Sequence, residues 1–273
     1  MGATAQVTPR PVEAKLNVRE NVAQLTADRL SAFAAGLRAL MDRRDNRGYQ
    51  FYAGWHGVPF ALCEHHDELF LPWHRGYLYH IETALQDAAG DGGLTFPWWD
   101  WIDEPGIPAA FTDAVVGGRD SALLAAAITP FGIPSQPDWP TETYRETPTG
   151  PGPLPLAPPL RGRYDWLMEP KSYPEFNRRL WFLHDNVHVW VGGTMGDQNW
   201  AAYDPLFWSH HCMVDRLWRI WQHNNPGALP PRSLLDTPMT FAHSPSFTVR
   251  DVLDVNQLGV EYAGVTQTVG GTS

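Results

Sequence analysis

Two histidines stand four residues apart in the stretch LHDNVH, at residues 183–188, and a further pair follows in WSHHCMVDRLW, at residues 208–218. Positions i and i+4 share one face of an α-helix, so His184 and His188 direct their rings into the same volume. Histidine is the commonest side-chain metal ligand in proteins. The spacing therefore predicts a metal site on this helix.

Earlier in the chain, a second group of histidines surrounds the run CEHHDELFLPWHR at residues 63–75. Pro72 interrupts the helical pattern, so His65 and His74 cannot lie on one continuous helix, and one of them must come from a loop. Metal sites in helical bundles are built from inward side chains on facing helices, which can bring the two groups together. A single histidine is more typical of a core, but the set predicts metal binding.

Three imidazoles from each group would make two all-nitrogen sites. Such ligands suit copper, zinc, iron or nickel rather than calcium or magnesium. The sequence has no HExxH motif, which argues against a zinc protease. Its only cysteines, Cys63 and Cys212, are too few for a disulfide framework or a thiolate-rich structural zinc site.

Four long helices are predicted to position these side chains. Pro72 indicates the start of one, Ser172 with Glu175 resembles a capping box, and Asp204 followed by Pro205 reads as an N-cap with proline at the first helical position. The predicted helices cover residues 19–45, about 73–89, 172 to about 190, and 204 to about 222.

These elements predict a mainly α fold, with an antiparallel four-helix bundle core enclosing the site, long loops and a few short β-strands in the β-prone tail. We expect residues 1–273 to form a single catalytic domain. A Pro-rich tract within about residues 129–160 is interpreted as a surface excursion rather than a domain boundary, because histidine-bearing segments lie on both sides of it.

The composition narrows the classes of partner. With 20 basic and 30 acidic residues the net charge is −10, which argues against binding to nucleic acid or to an anionic membrane. We see neither an apolar segment of secretory length at the N-terminus nor a stretch long enough to span a membrane. We therefore expect a cytoplasmic protein, with export alongside a partner as the alternative.

Several runs resemble the two copper-binding regions of the tyrosinase family, in its bacterial short form. This family comprises type-3 dicopper oxidases and includes catechol oxidases and o-aminophenol oxidases. The matching runs are CEHHDELFLPWHRGYL, FPWWDW, LHDNVHVWVGG and DPLFWSHHCMVDRLW, and TVRDVLDVNQLGVEY is similar to the family's closing segment. The resemblance covers roughly residues 30–262 and implies two copper ions, with O2 as co-substrate.

The resemblance also implies the ligands. One copper ion is assigned to His56, His65 and His74, and the other to His184, His188 and His211. The family's spacing favours His65 over its neighbour His66, and its FWxHH motif favours His211 over His210. His66, His80 and His210 are interpreted as core or surface residues, with His210 as a candidate orienting partner of a ligand.

Further residues take candidate roles from the same resemblance. Fungal members form a thioether between a Cys-x-His cysteine and a ligand ring, so Cys63 is either crosslinked to His65 or a buried free thiol. Val189 and Gln198 occupy positions that line the substrate entrance in the family.

Two carboxylates are candidate catalytic groups. Many tyrosinases carry an asparagine after the first histidine of HxxxH, which works with a glutamate to hold a water that deprotonates a monophenol. Asp185 stands at that position here, and it either serves as the base or favours diphenols and aminophenols. Glu175, nine residues before His184, is the candidate water-holding carboxylate, with a local capping role as the alternative.

The implied activity is O2-dependent oxidation of phenols and catechols to o-quinones. One alternative is an oxidase restricted to diphenols or o-aminophenols, without monophenolase activity. A haemocyanin-like O2 carrier is a weaker alternative, because only about eleven residues follow the closing segment and leave little chain to shield the site. The expected partners are a small phenolic substrate, O2 and, as an open question, a separate copper-delivery helper protein.

Overall fold

The computed structural model describes residues 15–104, 106–146, 160–244 and 246–265, with only the backbone for 160–162. Over these residues the fold is mainly α, as the sequence predicts. The helices are α1 (Ala27–Asp42), α2 (Tyr49–His56), α3 (Phe70–Ala89), α4 (Leu160–Met168), α5 (Tyr173–Val191) and α6 (Pro205–Asn224). The strands are β1 (Asn17–Arg19), β2 (Val115–Val116), β3 (Arg119–Asp120), β4 (Pro238–Met239), β5 (Phe247–Thr248) and β6 (Val260–Tyr262).

Helix α3 lies at the centre and packs against α1, α5 and α6. It begins at Phe70, so Pro72 falls in its first turn, where the missing N–H has no helical acceptor in any case. The N-cap of α6 also forms as predicted, because the Asp204 side chain accepts from the Leu206 N–H. Many aromatic side chains fill the space between the helices, including the fully buried Trp73 and Trp208.

Two details of the helices differ from the predictions. The first predicted helix is too long, because residues before the N-cap Thr26 form β1 and a short 3-10 turn at Val22–Gln24. The capping box at Ser172 does not form, since its side chain makes no cap hydrogen bond and the Glu175 carboxylate binds Arg179 instead.

Helix α2 has no counterpart among the predicted helices, although it carries His56. All eight of its residues are buried, so it has no polar face and no helical alternation of apolar and polar residues. The expected surface excursion is described for residues 129–146, which contain no helix or strand. The tract from 147 to 159 lies outside the described residues.

Strand β1 pairs in parallel with β6, which brings the two ends of the described chain together. From β1, the buried Arg19 guanidinium binds Glu82 on α3 at 3.0 Å and Asp215 on α6 at 3.3 Å. Strands β2 and β3, and β4 and β5, form two small antiparallel pairs. Among the described helices, none has the length and apolar character needed to cross a bilayer.

Candidate metal centre

The structure collects the histidines into two adjacent groups. The first group, formed at the end of α2, in the following loop and on α3, consists of His56, Cys63, His65 and His74. The second group, carried by α5 and α6, consists of His184, His188, His210 and His211. Within each group one potential ligand atom per residue lies within 4.8 Å of all the others.

The two groups share one interior. The rings of His74 and His211 stack with centroids 4.4 Å apart and planes 9° from parallel. The ring centroids of His65 and His184, one from each group, are 5.8 Å apart. Six predicted ligands from five separate segments therefore converge on one space.

Burial keeps these imidazoles neutral. It lowers the pKa of His65 to about 3 and the pKa of His188 to about 4, because the charged form loses its hydration. The pKa values of His56, His74, His184 and His211 also fall well below their usual range, mainly through burial and secondarily through neighbouring imidazoles. Neutral rings retain the lone pair that binds a metal ion.

Oxygen acceptors fix the orientation of four of the rings. The pairs are His56 Nδ1 with the Gln198 carbonyl (2.9 Å), His74 Nδ1 with the Phe70 carbonyl (2.8 Å), His188 Nδ1 with the Met195 carbonyl (2.7 Å) and His184 Nδ1 with the Asp185 carboxylate (3.0 Å). Since these oxygens can only accept, Nδ1 carries the proton in each ring. The lone pair is then on Nε2, which points into the shared interior.

The Nε2 atoms show that the site fits a metal. Within the described part of the chain, those of His56 and His188 are buried and have no hydrogen-bond partner. An unsatisfied buried acceptor costs about 1–3 kcal/mol, and a bound cation would remove that cost. The Nε2 atoms of His184 and His211 converge to 3.3 Å. An all-imidazole set suits copper, so the residues present fit two copper ions.

Cys63 lies inside the first group. Its Sγ is 3.2 Å from Nδ1 and 3.5 Å from Nε2 of His65, nearly equidistant from the two nitrogens that flank the Cε1 carbon. It is also 3.3 Å from Nε2 of His74. The cysteine is free in the structure, and burial raises the pKa of its thiol well above the usual range. The thioether stays a prediction, with the sulfur in contact with the required ring.

Gln198 contacts two predicted ligands of the first group. Its backbone carbonyl accepts from His56, and its side-chain amide lies 3.1 Å from Nδ1 of His65. An amide nitrogen facing Nδ1 would place the ring proton on Nε2, whereas the reversed amide presents an oxygen and leaves Nε2 free. Metal binding through His65 Nε2 therefore requires the amide oxygen to face the ring.

Asp185 lies at the edge of the second group. One carboxylate oxygen is 3.0 Å from His184 Nδ1, and the other is 2.7 Å from Nε2 of the exposed His66. Burial raises the pKa of Asp185, and the hydrogen bond from His66 partly offsets this effect. The contact between His66 and Asp185 was not predicted from the sequence. The one feature that could have indicated it is that His66 directly follows the candidate ligand His65.

Glu175 does not lie with the histidines. Its carboxylate forms an ion pair with Arg179 at 2.6 Å on the surface of α5, and its side chain is 44% exposed. Because α5 is continuous, nine residues span two and a half turns, so Glu175 and His184 face opposite sides and are about 13 Å apart along the axis. The helix geometry thus gives Glu175 a local role rather than the water-holding role.

The structure also gives the exposure and contacts of Val189, His210 and His80. Val189, directly after His188, is 74% exposed and therefore reaches solvent beside the second group. His210 is fully buried and stacks on His184 with centroids 5.1 Å apart and planes 18° from parallel. His80 is buried among aromatic rings away from both groups.

Comparisons with known proteins agree with this geometry. The family model described as the common central domain of tyrosinase matches residues 46–158 and 141–224. A tyrosinase from Streptomyces glaucescens is 29% identical over 269 residues, covering 88% of this chain and 90% of the relative. Among solved structures, a copper-bound mutant of active Aspergillus oryzae tyrosinase matches with a TM-score of 0.75 and 20% identity over 93% of this chain and 94% of that one.

The same fold occurs in a hemocyanin. A functional unit of octopus hemocyanin matches with a TM-score of 0.74 and 23% identity, over 92% of this chain and 69% of that one. At such identities the structural likenesses show the fold alone. The family assignment depends on the domain match, which covers more than half of the chain.

Proposed function

The chain belongs to the tyrosinase family, and from this premise we propose that it is an O2-dependent copper oxidase that converts phenols and catechols to o-quinones. The observation that carries the proposal is the convergence of two histidine groups, each with its ligand atoms within 4.8 Å of one another, into one buried interior. A dinuclear site of this kind holds two metal ions close enough to act on one small molecule.

We assign the ligands as the sequence predicts. His56, His65 and His74 would hold one copper ion, and His184, His188 and His211 the other. The fixed Nδ1 protons support this assignment, because they aim the Nε2 lone pairs of four of these rings inward. His210 stays a supporting residue that stacks on His184.

When bound, two copper ions supply the redox capacity that O2 reduction needs and the Lewis acidity that activates a phenol oxygen. The protein contributes the burial of the site, the orientation of the ligands and the route for the substrate. Four of the six imidazoles are buried and two are half-buried, and oxygen partners hold four of the rings in one orientation. The exposed Val189 and the side chain of Gln198 would flank the route by which an aromatic ring reaches His188.

The overall reaction balances without any other co-reactant. Each catechol gives up two electrons and two protons when it becomes an o-quinone. Two catechols therefore reduce one O2 to two waters. A monophenol consumes one O2 overall: one oxygen atom enters at the ortho position, the other leaves as water, and the phenolic proton must first pass to a base.

Asp185 supports restricted specificity as a second candidate function. Both of its oxygens already accept hydrogen bonds, one from His184 and one from His66, and Glu175, the predicted partner, faces the other side of α5. A carboxylate engaged in this way is a poor base for a monophenol. An oxidase limited to catechols or o-aminophenols is therefore the alternative that the site favours most.

One set of measurements tests both candidates. Purified protein loaded with copper should contain two ions per chain and develop a near-ultraviolet band when O2 is added to the reduced form. Rates on a monophenol and on the matching catechol then separate the two. Turnover of the monophenol without added catechol would reject the restricted oxidase, and failure to bind two copper ions would reject the oxidase altogether.

The oxygen-carrier alternative and the partners need separate tests. Reversible O2 binding without catechol oxidation would favour the haemocyanin-like carrier, whereas the exposure of Val189 supports access for a substrate. A copper-delivery helper and a cytoplasmic location are predictions from the sequence. The helper is tested by comparing copper uptake of the purified chain alone with uptake in its native extract, and the location by fractionating cells.

The crosslink between Cys63 and His65 is also part of the proposal. Forming the S–C bond removes one hydrogen from the thiol and one from the ring carbon, and O2 would be the oxidant. Tryptic peptides from copper-loaded, O2-exposed protein should then lack an alkylatable Cys63 and weigh two hydrogens less. An alkylatable Cys63 in that sample would exclude the bond.

A further inference from the structure

The exposed His66 lies where the two histidine groups meet. Its ring is 5.2 Å from that of Trp181, and its Nε2 is 2.7 Å from the Asp185 carboxylate. Trp181 and Asp185 are one turn apart on α5 and share a face, so His66 docks on that face through two contacts. The residue before His66 is His65 of the first group, and the residue before Asp185 is His184 of the second.

The Asp185 carboxylate decides which ring nitrogens of His66 and His184 carry protons. A carboxylate can only accept, so His66 donates from Nε2 and His184 donates from Nδ1. The proton on Nδ1 leaves the Nε2 lone pair of His184 directed at the interior, 3.3 Å from Nε2 of His211. Asp185 therefore links the loop of the first group to the ring orientation of the second.

The backbone at His66 is consistent with a positioning role. Its φ is +58°, in the left-handed region that few residues other than glycine adopt. This conformation lets consecutive side chains diverge, with His65 towards the interior and His66 towards α5. Such a conformation persists only where surrounding contacts hold it. Asn177 and Tyr173 of α5 fix the later part of the loop by binding the carbonyls of Asp67 and Glu68.

We propose that His66 is a positioning residue that latches the His65 loop to α5 through Asp185 and thereby keeps the two ligand sets in register. The inference rests on the proposed copper site. His66 is 60% exposed, and a contact at such an exposed site contributes little to the stability of the fold. Its effect is therefore on ligand orientation, where outer partners of metal-binding histidines typically change metal affinity by about 10–100-fold.

The first test measures the tautomer of His184 in the metal-free protein. Nitrogen-15 NMR of labelled histidines distinguishes the protonated ring nitrogen from the bare one. The wild type should show His184 with a single tautomer, protonated on Nδ1, and His66→Ala should show a mixture. The conservative His66→Gln keeps an N–H donor and should restore the single tautomer. Arg47→Ala, which removes an exposed pair with Asp45, is the matched control and should leave His184 unchanged.

The second test uses Zn²⁺ alone as a redox-inert probe, titrated against a competing chelator. His66→Ala should bind at least one of two Zn²⁺ ions about 10-fold more weakly or worse, and His66→Gln should stay near the wild type. Unchanged affinity and an unchanged tautomer in His66→Ala would overturn the latch. If His66→Ala does not fold, His66→Glu, which repels Asp185, replaces it, and equal behaviour of the Glu and Gln variants overturns the inference.

These readouts separate the latch from the oxidase. The tautomer is measured without metal and the affinity without turnover. A wild type that binds two Zn²⁺ ions with the expected tautomer but oxidises no catechol would refute the proposed function and leave the latch intact. If the wild type oxidises catechol but the His66→Ala variant keeps the wild-type tautomer and Zn²⁺ affinity, the latch is refuted and the proposed function stands.

Discussion

The two histidine groups are built in different ways. The second group comes from two long helices, and its first two members follow the i, i+4 spacing of α5. The first group is assembled from the end of α2, a loop and α3, and Cys63 lies among its rings. Helical spacing therefore fixes much of the second group locally, whereas the first group depends on contacts with distant residues such as Gln198.

The largest expected effect is common to both groups. His74→Ala and His188→Ala each remove one inward nitrogen, so each variant should retain about one copper per chain and lose catechol oxidation by more than the 100-fold typical of an outer partner. Copper analysis and initial rates check this. Two copper ions in either variant would mean that the ligand sets are not separate.

Acidification should destabilise the metal-free protein. The pKa of His65 is lowered to about 3 and that of His188 to about 4, whereas both titrate near 6.5 in the unfolded chain. Below about pH 6.5 the unfolded state therefore binds protons that the folded state does not, and the free energy of unfolding falls as pH decreases. Each such histidine contributes up to about 1.4 kcal/mol per pH unit.

Denaturant titrations of the metal-free protein at about pH 7 and about pH 5 measure this slope. The His188→Ala variant is the control, since it lacks one of the responsible rings and should show a shallower dependence. A stability that does not change between the two pH values would contradict the neutral, buried state of both groups.

Substitution of Gln198 should have a smaller effect, which is confined to the first histidine group. Gln198→Leu removes the side-chain amide beside His65 but keeps the backbone carbonyl that binds His56. We expect about 10-fold weaker Zn²⁺ binding to the first group and no change at the second. Measuring the variant in a His188→Ala background isolates the first group. Gln198→Glu, which presents only oxygens to Nδ1, is the matched control and should bind as tightly as glutamine.

The smallest effect is expected at Glu175. Its carboxylate pairs with Arg179 on the far side of α5, so Glu175→Gln should change catechol oxidation by no more than about 2-fold, as for other surface substitutions. Asp185→Asn, at the edge of the second group, is the companion variant and should change the rate more. A large loss of monophenol oxidation in Glu175→Gln would restore the water-holding role.

The same contrast explains how much of the molecule could be predicted from the sequence. Helices α3, α5 and α6 are predictable from their histidines and from proline near their starts, although the capping box predicted for α5 does not form. Helix α2 is buried on every side, so no alternation reveals it. The contacts of His66 with Asp185 and of Gln198 with His65 join residues 119 and 133 positions apart. Pairings at such separations depend on tertiary packing, which spacing along one element cannot show.

The pairing of β1 with β6 has a consequence for the order of events in the cell. Arg19 is 196 positions from Asp215 and 243 positions from Tyr262, yet its guanidinium binds both. On the ribosome, Asp215 on α6 would lack the hydrogen bond from the Tyr262 hydroxyl until β6 has been made. The buried polar network between the helices that carry His74 and His211 would thus be complete only after β6 has been made, although Arg75 and Asp215 join those helices directly before then.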